Sequence, residues 1–365
     1  MKIILTGGGT GGHIYPALSI AAALRSENPE AELLFVGSRH GPEGRLAERA
    51  GLRFVGLPSK SFGRKLSISN VTAVATLGIA VMRGLLVLQK EKPDVVIGTG
   101  GYTSAAVMLA QRLRRGPAVI HEQNAVPGRT NLFLSRFATA VCVTYEESVD
   151  CFHKANIEVT GLPIRAEISI PRDKAAARAK LGLKPDLFTV SVFGGSQGAR
   201  GINEMTVEAA RLLADKGIQI LHQTGGRNYQ EVWDHASKAG AYYKITPYLD
   251  EPADAYWASD LIVCRSGAST LAELCAVGLP AILIPYPYAY ADHQTKNARA
   301  LEKRGAAILL AESSASGGEL ANQIAALKRD PERLRKMAAA SSALAQPNAA
   351  ENVIRVAKAL MRKSD

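Results

Sequence analysis

The chain has 365 residues, 47% of them hydrophobic, which is enough for two domains with their own cores and excludes an intrinsically disordered protein. Its formal net charge of +11 favours an anionic partner, but aromatic residues make up only 6% and no known nucleic-acid-binding motif occurs, which argues against nucleic acid. The four cysteines lack the spacing of a zinc site and are expected to be reduced core residues of a cytoplasmic protein: Cys142, Cys151, Cys264 and Cys275.

The first half alternates short apolar runs with segments of helical period, a pattern typical of βαβ units around a parallel sheet that is covered on both faces. The predicted strands are Lys2–Leu5, Glu32–Val36, Arg53–Leu57, Val95–Ile97, Ala118–Ile120 and Ala140–Val143. The predicted helices are Pro16–Ser26, Glu43–Ala50, Val71–Gln89 and Thr103–Leu113. Because the chain enters its first strand directly, we expect no export signal.

A linker at Thr160–Arg165 precedes a second half in which the alternation restarts. The predicted strands there are Thr189–Phe193, Gln219–Gln223, Tyr242–Ile245, Leu261–Val263 and Ala281–Ile284. The predicted helices are Ile202–Leu213, Thr270–Val277, His293–Lys303 and a helical region over 316–363 that Pro347 breaks. The sequence therefore predicts an α/β protein with two doubly wound, Rossmann-like parallel-sheet domains, residues 1–161 and 162–346, facing a cleft.

Two glycine-rich turns, Gly7–His13 and Gly194–Ala199, each lie between a predicted strand and a predicted helix. Backbone N–H groups at such a helix N-terminus can bind phosphate, so a turn in each domain indicates a nucleotide in the cleft. NAD is disfavoured, because His13 follows the first turn and no acidic residue ends the second strand, and a Walker A sequence is missing. Gly98–Tyr102 is a third glycine-rich turn on the same rim.

Polar side chains follow two strands of the first half. His13 can act as a general base or hydrogen-bond a substrate oxygen, or it can simply cap the helix or pack against it. The run His121–Asn124 can bind the hydroxyl and amide groups of a sugar, or cap the next helix, and Gly128 and Asn131 continue this polar edge.

In the second half, Arg265–Thr270 precedes the helix that carries Glu273, and Ser269 or Thr270 is expected to cap it. The helix amides suit a phosphate, and Glu273 can accept two hydrogen bonds from a ribose diol or serve only as a helix-dipole carboxylate. Asp292–Gln294, with Asn297 one turn later, is another polar cluster at a strand end. No Asp-x-Asp sequence occurs, so glycine-loop amides, a helix dipole and Arg165 would neutralise a diphosphate.

The segment Phe54–Lys90 holds no acidic residue, and its basic residues are Lys60, Arg64, Lys65, Arg83 and Lys90. Its apolar run, Val71–Met82 and then Leu85–Leu88, is too short by sequence to span a bilayer. We expect an amphipathic element that lies on an anionic membrane surface; the alternative is a core helix with a solvated basic rim.

Taken in order, these motifs resemble the MurG family of bacterial N-acetylglucosaminyltransferases, which belongs to glycosyltransferase family 28. The match runs along essentially the whole chain. Its segments are Gly8–His13, Gly100–Tyr102, His121–Asn124, Gly194–Ala199 and Arg265–Ala268 with Glu273.

The resemblance implies a GT-B glycosyltransferase that transfers N-acetylglucosamine from UDP-N-acetylglucosamine to the 4-hydroxyl of N-acetylmuramic acid in lipid I. The product is lipid II for peptidoglycan synthesis, formed with inversion, without a cofactor and without an obligatory metal. The resemblance places the chain at the cytoplasmic face of the cell membrane as a peripheral protein, with other cell-wall synthesis and division proteins as partners. The N-terminal domain would bind acceptor and membrane, the C-terminal domain would bind the UDP-sugar, and the final helix, about 347–365, would cross back to the N-terminal domain.

The resemblance also assigns roles to residues. Catalytic roles fall to His13 and Glu122, and acceptor binding to His13, Gly101, Tyr102 and Asn131. Donor binding falls to Thr10, Gly11, Gly12, Asn124, Arg165, Ser196, Gln197, Leu249, Ala268, Ser269, Thr270, Glu273, His293 and Gln294. Within that set Glu273 would hold the ribose, the backbone near Leu249 the uracil, and Ser196 and Gln197 the diphosphate. Asn124, the Ala268 backbone and Gln294 would hold the N-acetylglucosamine.

Two departures and three rival functions stand beside this interpretation. His293 occupies a position where some members have glutamine, and Leu162 one where others have asparagine, so a sugar contact and a linker hydrogen bond are in question. The rivals are a related transferase acting on diacylglycerol, a UDP-N-acetylglucosamine 2-epimerase, and a non-enzymatic membrane scaffold that binds nucleotide sugars.

Overall fold

The chain folds around two separate parallel sheets, as the alternation of strands and helices predicts. The structure is a computed structural model, and it describes residues 1–60, 68–153, 156–195, 198–236, 240 and 242–361. One unit comprises Met1–Arg165 and the segment that begins at Asn348, and the other comprises Ala166–Pro347. The prediction of two doubly wound, Rossmann-like α/β domains is confirmed.

The N-terminal unit holds a seven-stranded sheet in the order β3-β2-β1-β4-β5-β6-β7, with every neighbouring pair parallel. Its strands are β1 Lys2–Thr6, β2 Glu32–Ser38, β3 Arg53–Leu57, β4 Val95–Gly98, β5 Ala118–Glu122, β6 Ala140–Val143 and β7 Ile157–Val159. Its first helices are α1 Gly11–Glu27, α2 Glu43–Arg49, α3 Ile68–Glu91, α4 Tyr102–Arg114 and α5 Arg129–Ser135, with a 3-10 helix at Glu146–Cys151. Ile3, Ile4 and Leu5 are fully buried, because helices cover both faces of the sheet.

The C-terminal unit holds a six-stranded parallel sheet in the order β10-β9-β8-β11-β12-β13. Its strands are β8 Phe188–Phe193, β9 Ile218–Gln223, β10 Tyr243–Thr246, β11 Leu261–Cys264, β12 Ala281–Leu283 and β13 Ala307–Leu309. Its helices are α6 Ala166–Ser169, α7 Lys174–Lys180, α8 Arg200–Leu213, α9 Tyr229–Ala236, α10 Pro252–Ala258, α11 Ala268–Val277, α12 His293–Lys303, α13 Gly317–Arg329 and α14 Pro331–Ala343, with a 3-10 helix at Tyr290–Asp292.

The last helix, α15 Ala349–Met361, returns to the N-terminal unit and packs against α1. Val353 and Ala357 are fully buried in the same core cluster as Ile14 and Ile20 of α1. An ion pair of 2.6 Å joins Lys358 Nζ to Glu27 Oε1, at the end of α1. Helix α15 therefore completes the N-terminal core.

Two short strands escape prediction from the sequence, and several helices begin earlier than predicted, α1 by the most. The strands β7 and β13 are three residues each and lie at sheet edges, so they carry little periodic signal. Helix α1 begins at Gly11 instead of Pro16, although glycine is a poor helix former. Tertiary contacts fix this turn, since Thr99 Oγ1 donates to the His13 carbonyl at 2.6 Å.

Helix α3 is anchored at its C-terminal end. Glu91 forms ion pairs with Arg53 at 3.0 Å and with Lys2 at 2.9 Å. These hydrogen bonds from Arg53 and Lys2 lower the pKa of Glu91 to about 2. The helix end is thus tied to both β1 and β3.

The two faces of α3 differ. Ala73, Ala80 and Leu88 are buried, and Gly84 lies against Ala110 of α4, which allows close packing. The opposite face exposes a continuous apolar stripe: Val71, Val74, Ile79, Met82 and Leu86, each 54–70% exposed. The prediction that this apolar run is too short to span a bilayer is wrong. By length and composition, the segment Val71–Glu91 could cross a membrane. One face of α3 is packed into the domain, so only the opposite face, which is apolar, meets the surroundings.

Three of the four cysteines lie in the core, as predicted, and one does not. Cys142, Cys264 and Cys275 are buried, and burial raises the pKa of Cys142 to about 12 and that of Cys275 to about 11. The prediction is wrong for Cys151, which is exposed at the end of the 3-10 helix because the next residue, Phe152, occupies the core position.

Candidate active site

In both sheets the strand order reverses next to the first strand, and this reversal locates the candidate site. Strand β1 lies between β2 and β4, and β8 lies between β9 and β11. Ligands of such sheets bind beyond the carboxyl ends of the strands at the reversal. The loops that lie there are the predicted glycine-rich turns after β1, β4 and β8 and the Arg265–Thr270 run after β11.

In the N-terminal unit the turns after β1 and β4 pack directly on each other. The Gly8 N–H donates to the Gly100 carbonyl at 3.1 Å. Gly101 has a φ of +91°, and a Cβ there would overlap the Gly8 backbone. Only glycine satisfies both conditions at Gly101. Gly101, which is predicted to bind the acceptor substrate, therefore determines how closely the two turns approach each other. Tyr102 beside it is the first residue of α4 and is 41% exposed.

His13, the predicted base, lies in the first turn of α1 and is half-buried. Its Nδ1 lies 3.1 Å from the Gly8 carbonyl oxygen, which can only accept, so Nδ1 carries the proton and Nε2 is the proton-accepting nitrogen of the neutral ring. A Cβ built on Gly100 would lie 3.2 Å from His13 Nε2 and 3.5 Å from Asn131 Nδ2. His13 and Asn131 thus converge on Gly100.

The carboxylate of Glu122, at the end of β5, accepts four hydrogen bonds. Oε1 accepts from the Asn124 backbone at 2.9 Å and from Asn124 Nδ2 at 3.2 Å. Oε2 accepts from the Gly128 backbone at 3.0 Å and from Asn131 Nδ2 at 2.8 Å. Four donors fill the lone-pair sites of a carboxylate. We therefore propose that Glu122 positions Asn124 and Asn131, in place of the catalytic role expected from the sequence.

The neighbours of Glu122 serve the same loop. His121 is fully buried, which lowers its pKa, and its Nε2 donates to the Gly161 carbonyl at 2.8 Å. Gln123 donates to the Thr99 carbonyl at 2.8 Å, which links the run after β5 to the turn after β4. Asn131 Oδ1 is buried and has no hydrogen-bond partner within the described part of the chain. A buried amide oxygen in that state is costly and suits a donor group of a ligand.

The remaining predicted residues of this unit flank α1. Thr10 is the N-cap residue of α1 without a side-chain cap hydrogen bond, and Gly11 and Gly12 form the first turn. The Arg165 guanidinium lies over the Tyr15 ring, 4.8 Å from its centroid. Arg165 therefore belongs to the N-terminal unit by position.

In the C-terminal unit the glycine turn after β8 packs against the end of β9. Gly198 has a φ of +77°, and a Cβ there would overlap the Thr224 carbonyl. Gly195 also has a positive φ, +88°. The predicted diphosphate residues Ser196 and Gln197 lie outside the residues that the structure describes.

Helix α11 begins at Ala268, and Gly267 is its N-cap residue without a side-chain cap hydrogen bond. The prediction that Ser269 or Thr270 caps the helix is wrong, because the helix starts before them and places both within the first turn. The buried Ser269 Oγ has no hydrogen-bond partner among the described residues. The first-turn amides and this hydroxyl suit an oxyanion.

Glu273 lies one turn further along α11 and is buried. The Tyr256 hydroxyl donates to Glu273 Oε2 at 2.8 Å, which fixes the carboxylate. Sequence analysis does not identify Tyr256, because its partner is 17 residues away and tyrosine in a helix normally indicates core packing.

The polar run before α12 is tied to the Arg265–Thr270 loop. Ser266 Oγ donates to the Gln294 carbonyl at 2.8 Å, and Asn297 Nδ2 donates to the Ser266 carbonyl at 3.2 Å. Gln294 Oε1 accepts from the Tyr286 N–H at 2.8 Å. Gln294 and Ala268, both predicted to bind the sugar donor, thus lie in loops that are joined by hydrogen bonds.

His293 and Leu249, the last two residues predicted to bind the sugar donor, lie outside these hydrogen-bonded loops. His293 Nδ1 donates to the Tyr290 carbonyl at 2.8 Å, directly after Ala291 and Asp292, whose φ values of +49° and +53° are strained for residues with a side chain. The backbone strain at Ala291 and Asp292 is typical of functional loops. Leu249 packs on the core next to β10.

The fully buried His222 of β9 stabilises the loop after β8 and is not found by sequence analysis. His222 Nε2 donates to Asn203 Oδ1 at 3.0 Å, and Asn203 Nδ2 donates to the Thr224 carbonyl at 3.0 Å. The Tyr243 hydroxyl donates to His222 Nδ1 at 2.7 Å. Since Thr224 abuts Gly198, this network fixes the end of the glycine turn.

Acid is expected to destabilise the C-terminal unit through His222. Burial lowers the pKa of His222 to about 3, whereas the unfolded chain titrates near 6.5, so between these pH values the unfolded state binds the extra proton. The free energy of unfolding then falls as the pH decreases through this window, by up to about 1.4 kcal/mol per pH unit. Both tryptophans, Trp233 and Trp257, lie in this unit, so urea unfolding followed by tryptophan fluorescence measures it.

The matched variant is His222→Gln, which keeps polar contacts without a titrating ring. Its unfolding free energy should depend less steeply on pH between pH 4 and 6 than that of the wild type. Equal slopes would assign the acid sensitivity to other groups.

Within the described ranges, no group of three or more His, Cys, Asp or Glu side chains is arranged to hold a metal ion.

Both halves of the chain match models of one enzyme family. The model for the N-terminal domain of glycosyltransferase family 28 matches residues 3–143, and that for its C-terminal domain matches residues 189–353.

Relatives of known name cover the whole chain. A protein of Desulforudis audaxviator, named UDP-N-acetylglucosamine--N-acetylmuramyl-(pentapeptide) pyrophosphoryl-undecaprenol N-acetylglucosamine transferase, is 42% identical over 371 residues, covering 100% of this chain and 99% of the relative. The crystal structure of Acinetobacter baumannii MurG matches with a TM-score of 0.76 and 30% identity, over 98% of this chain and 99% of that one. The UDP-N-acetylglucosamine 2-epimerase of Neisseria meningitidis has a TM-score of 0.69 at 14% identity, covers 98% and 99%, and shares the fold alone.

Proposed function

Because the chain belongs to glycosyltransferase family 28, we propose that it transfers N-acetylglucosamine from UDP-N-acetylglucosamine to undecaprenyl-pyrophosphoryl-N-acetylmuramoyl-pentapeptide, lipid I, and so forms lipid II. The observation in this molecule that carries the proposal is the arrangement of His13. Its Nδ1 is held by the Gly8 carbonyl, and its Nε2 side faces Gly100 and Asn131 at the carboxyl edge of the sheet. A histidine held in this way can take a proton from a sugar hydroxyl.

We assign acceptor binding to residues 1–161 and most of the donor binding to residues 162–346. On the acceptor side, exposed Tyr102 follows the turn next to His13, and Asn131 Oδ1 has no hydrogen-bond partner among the described residues; both suit the polar groups of a sugar. Asn124, held by Glu122, extends this surface toward the N-acetylglucosamine. Thr10, Gly11 and Gly12 lie at the start of α1, and Arg165 lies over Tyr15 of the same helix. We propose that these four residues face the donor diphosphate.

On the donor side, the first turn of α11 offers backbone amides and the Ser269 hydroxyl to the diphosphate, with Ala268 and Thr270 beside them. Glu273, fixed by Tyr256, would accept the two ribose hydroxyls. The backbone near Leu249 would hold the uracil, Ser196 and Gln197 the diphosphate, and His293 and Gln294 the sugar.

The reaction balances with these groups. The acceptor 4-hydroxyl oxygen attacks the anomeric carbon, His13 Nε2 takes its proton, and the bond to UDP breaks with its electron pair on the diphosphate oxygen. Attack opposite the leaving group inverts the anomeric carbon and gives a β-1,4 linkage. The α11 amides stabilise the charge that develops on the diphosphate, an effect worth roughly 3 kcal/mol per well-placed donor.

UDP release with defined acceptors tests this function. We expect release from UDP-N-acetylglucosamine, and much less from UDP-N-acetylgalactosamine, only when a lipid I analogue is present. Release with diacylglycerol instead would indicate the related lipid glycosyltransferase. No release with either acceptor would indicate a scaffold that only binds the nucleotide sugar.

We propose that transfer needs no metal, because the sequence lacks the Asp-x-Asp carboxylates that bridge a divalent cation to a diphosphate. Activity should therefore survive EDTA in large part, measured as transfer to the lipid I analogue before and after chelation. Complete loss on chelation, restored by Mg²⁺, would contradict this.

We further propose that the exposed stripe of α3, Val71 to Leu86, rests on the cytoplasmic face of the cell membrane, where the lipid tail holds the acceptor. The apolar side chains of this stripe are flanked by exposed Arg83, while Lys60 contacts the start of α3 through Thr72 Oγ1 at 2.6 Å. Arg64 and Lys65, expected in the basic rim, lie outside the described residues. A peripheral apolar face with basic neighbours suits an anionic leaflet.

The double variant Ile79→Glu, Met82→Glu should weaken sedimentation with anionic vesicles and slow transfer to a long-chain acceptor on vesicles. Transfer to a short-chain soluble acceptor should stay near wild type, because both positions lie on the exposed face of α3. The matched control is Ile170→Glu, Leu212→Glu, which changes two exposed apolar residues of the other unit. If all three proteins bind vesicles alike at several salt concentrations, α3 is only a packed helix with an apolar outer face.

A further inference from the structure

Glu43, the first residue of α2, is a carboxylate with no exposed surface, and neither the sequence motifs nor the proposed function uses it. Burying an ionised group is costly unless the fold provides for it. Here the fold makes room for it with glycines. A Cβ at Gly8, Gly37 or Gly41 would overlap an atom of Glu43. Glycines in the turn after β1, in strand β2 and in the loop before α2 therefore leave room for the Glu43 side chain.

The contact that Glu43 makes leads directly to His13. Glu43 Oε1 accepts the N–H of Gly9 at 2.8 Å. That N–H belongs to the same peptide group as the Gly8 carbonyl, which accepts the Nδ1–H of His13 at 3.1 Å. One rigid peptide plane thus connects the carboxylate to the imidazole.

The peptide group before this plane is held in place as well. The neighbouring Gly8 N–H donates to Gly100, and the absence of a side chain at Gly101 lets the turn after β4 close over it. Gly9 has a φ of +88°, so its backbone depends on contacts to keep this conformation. An acceptor on the N–H side polarises the peptide and strengthens its carbonyl as an acceptor.

We propose that Glu43 is a positioning residue: through the Gly8–Gly9 peptide it holds His13 with the proton on Nδ1, so that Nε2 is the nitrogen that accepts a proton. This arrangement resembles the carboxylate–histidine pair of acid–base sites, with a peptide group inserted between the partners. The consequence for transfer rests on the proposed function, whereas the tautomer of His13 does not.

A structural role alone would need only an acceptor for Gly9. Glu43 Oε2 has no hydrogen-bond partner among the residues described, so one of its oxygens is not used to satisfy the fold. Two variants separate the reach of the side chain to Gly9 from its negative charge. Aspartate keeps the charge and loses the reach, and glutamine keeps the reach and an acceptor oxygen.

The test is the tautomer of His13 in the full-length protein, read from ¹⁵N chemical shifts of histidine-labelled samples at a pH where the ring is neutral. His13→Gln identifies the signals of His13 among the seven histidines. In the wild type we expect Nδ1 to carry the proton. In Glu43→Asp we expect a shift toward the Nε2-protonated form, with kcat for lipid I analogue about 10–100-fold lower and KM for UDP-N-acetylglucosamine unchanged.

Glu43→Gln should restore the Nδ1-protonated form and most of kcat, and the exposed Glu48→Gln on the same helix should match the wild type in both measurements. Wild-type shifts and wild-type kcat in Glu43→Asp would overturn the proposal. So would an Nε2-protonated His13 in the wild type. If the wild type shows no transfer at all, the proposed function fails, and the ¹⁵N shifts of the two Glu43 variants still decide the role of Glu43.

Discussion

Replacing His13 with alanine is expected to lower kcat roughly 10²–10⁴-fold while leaving UDP binding close to wild type. The variant removes the nitrogen that we propose takes the proton of the acceptor hydroxyl. It leaves α11 and Glu273 of the other unit in place. Steady-state transfer at saturating lipid I analogue and UDP-N-acetylglucosamine measures kcat, and calorimetry measures UDP binding.

Two further variants decide what His13 does. His13→Gln can still hydrogen-bond the acceptor but cannot take its proton, so it should be nearly as slow as His13→Ala if His13 is the base. Recovery of most activity in His13→Gln would make His13 a residue that only positions the acceptor. The exposed His153 provides the control, and His153→Ala should transfer at the wild-type rate.

Replacing Glu273 with alanine is expected to weaken UDP binding by two charge-assisted hydrogen bonds, roughly 1.5–3 kcal/mol each. The carboxylate is buried in α11 and its orientation is fixed by Tyr256 at 2.8 Å. Calorimetry with UDP gives the loss in affinity. The same titration with 2′-deoxy-UDP tests whether the lost contacts are those to the ribose.

The losses of UDP affinity caused by Glu273→Ala and by removal of the ribose 2′-hydroxyl should not be additive. Removing the 2′-hydroxyl should cost the wild type more affinity than it costs Glu273→Ala, because that variant has already lost the acceptor. Equal costs in both proteins would place Glu273 away from the ribose. Tyr256→Phe is the control, since it keeps the carboxylate and loses only the contact that orients it, and it should bind UDP more tightly than Glu273→Ala.

The positions of the predicted residues could be read from the sequence where a motif follows a strand. Gly7–His13, His121–Asn124 and Arg265–Thr270 each follow a predicted parallel strand, and parallel strands bring their carboxyl ends to one edge. That rule needs only local patterns, which the chain displays clearly.

The partners that hold these residues could not be read in the same way. Glu43 is 34 residues from Gly9, and His222 is 19 residues from Asn203. No local period relates such positions, because the sheet order brings them together only after folding. Helix starts failed for a related reason: contacts from other elements, such as Thr99 on His13, override the low helix propensity of glycine.

The return of α15 makes the N-terminal domain discontinuous in the chain, and this has a consequence for its synthesis on the ribosome. Domains usually fold in the order in which they are made. Here the core around α1 lacks Val353, Ile354 and Ala357 until α15 is translated, so this domain is completed only after the whole of the other unit has been made. An incomplete chain that ends near Pro347 leaves the apolar side of α1 uncovered and exposes it to proteolysis. The helix that carries His13 therefore gains its packing partner only once α15 has been made.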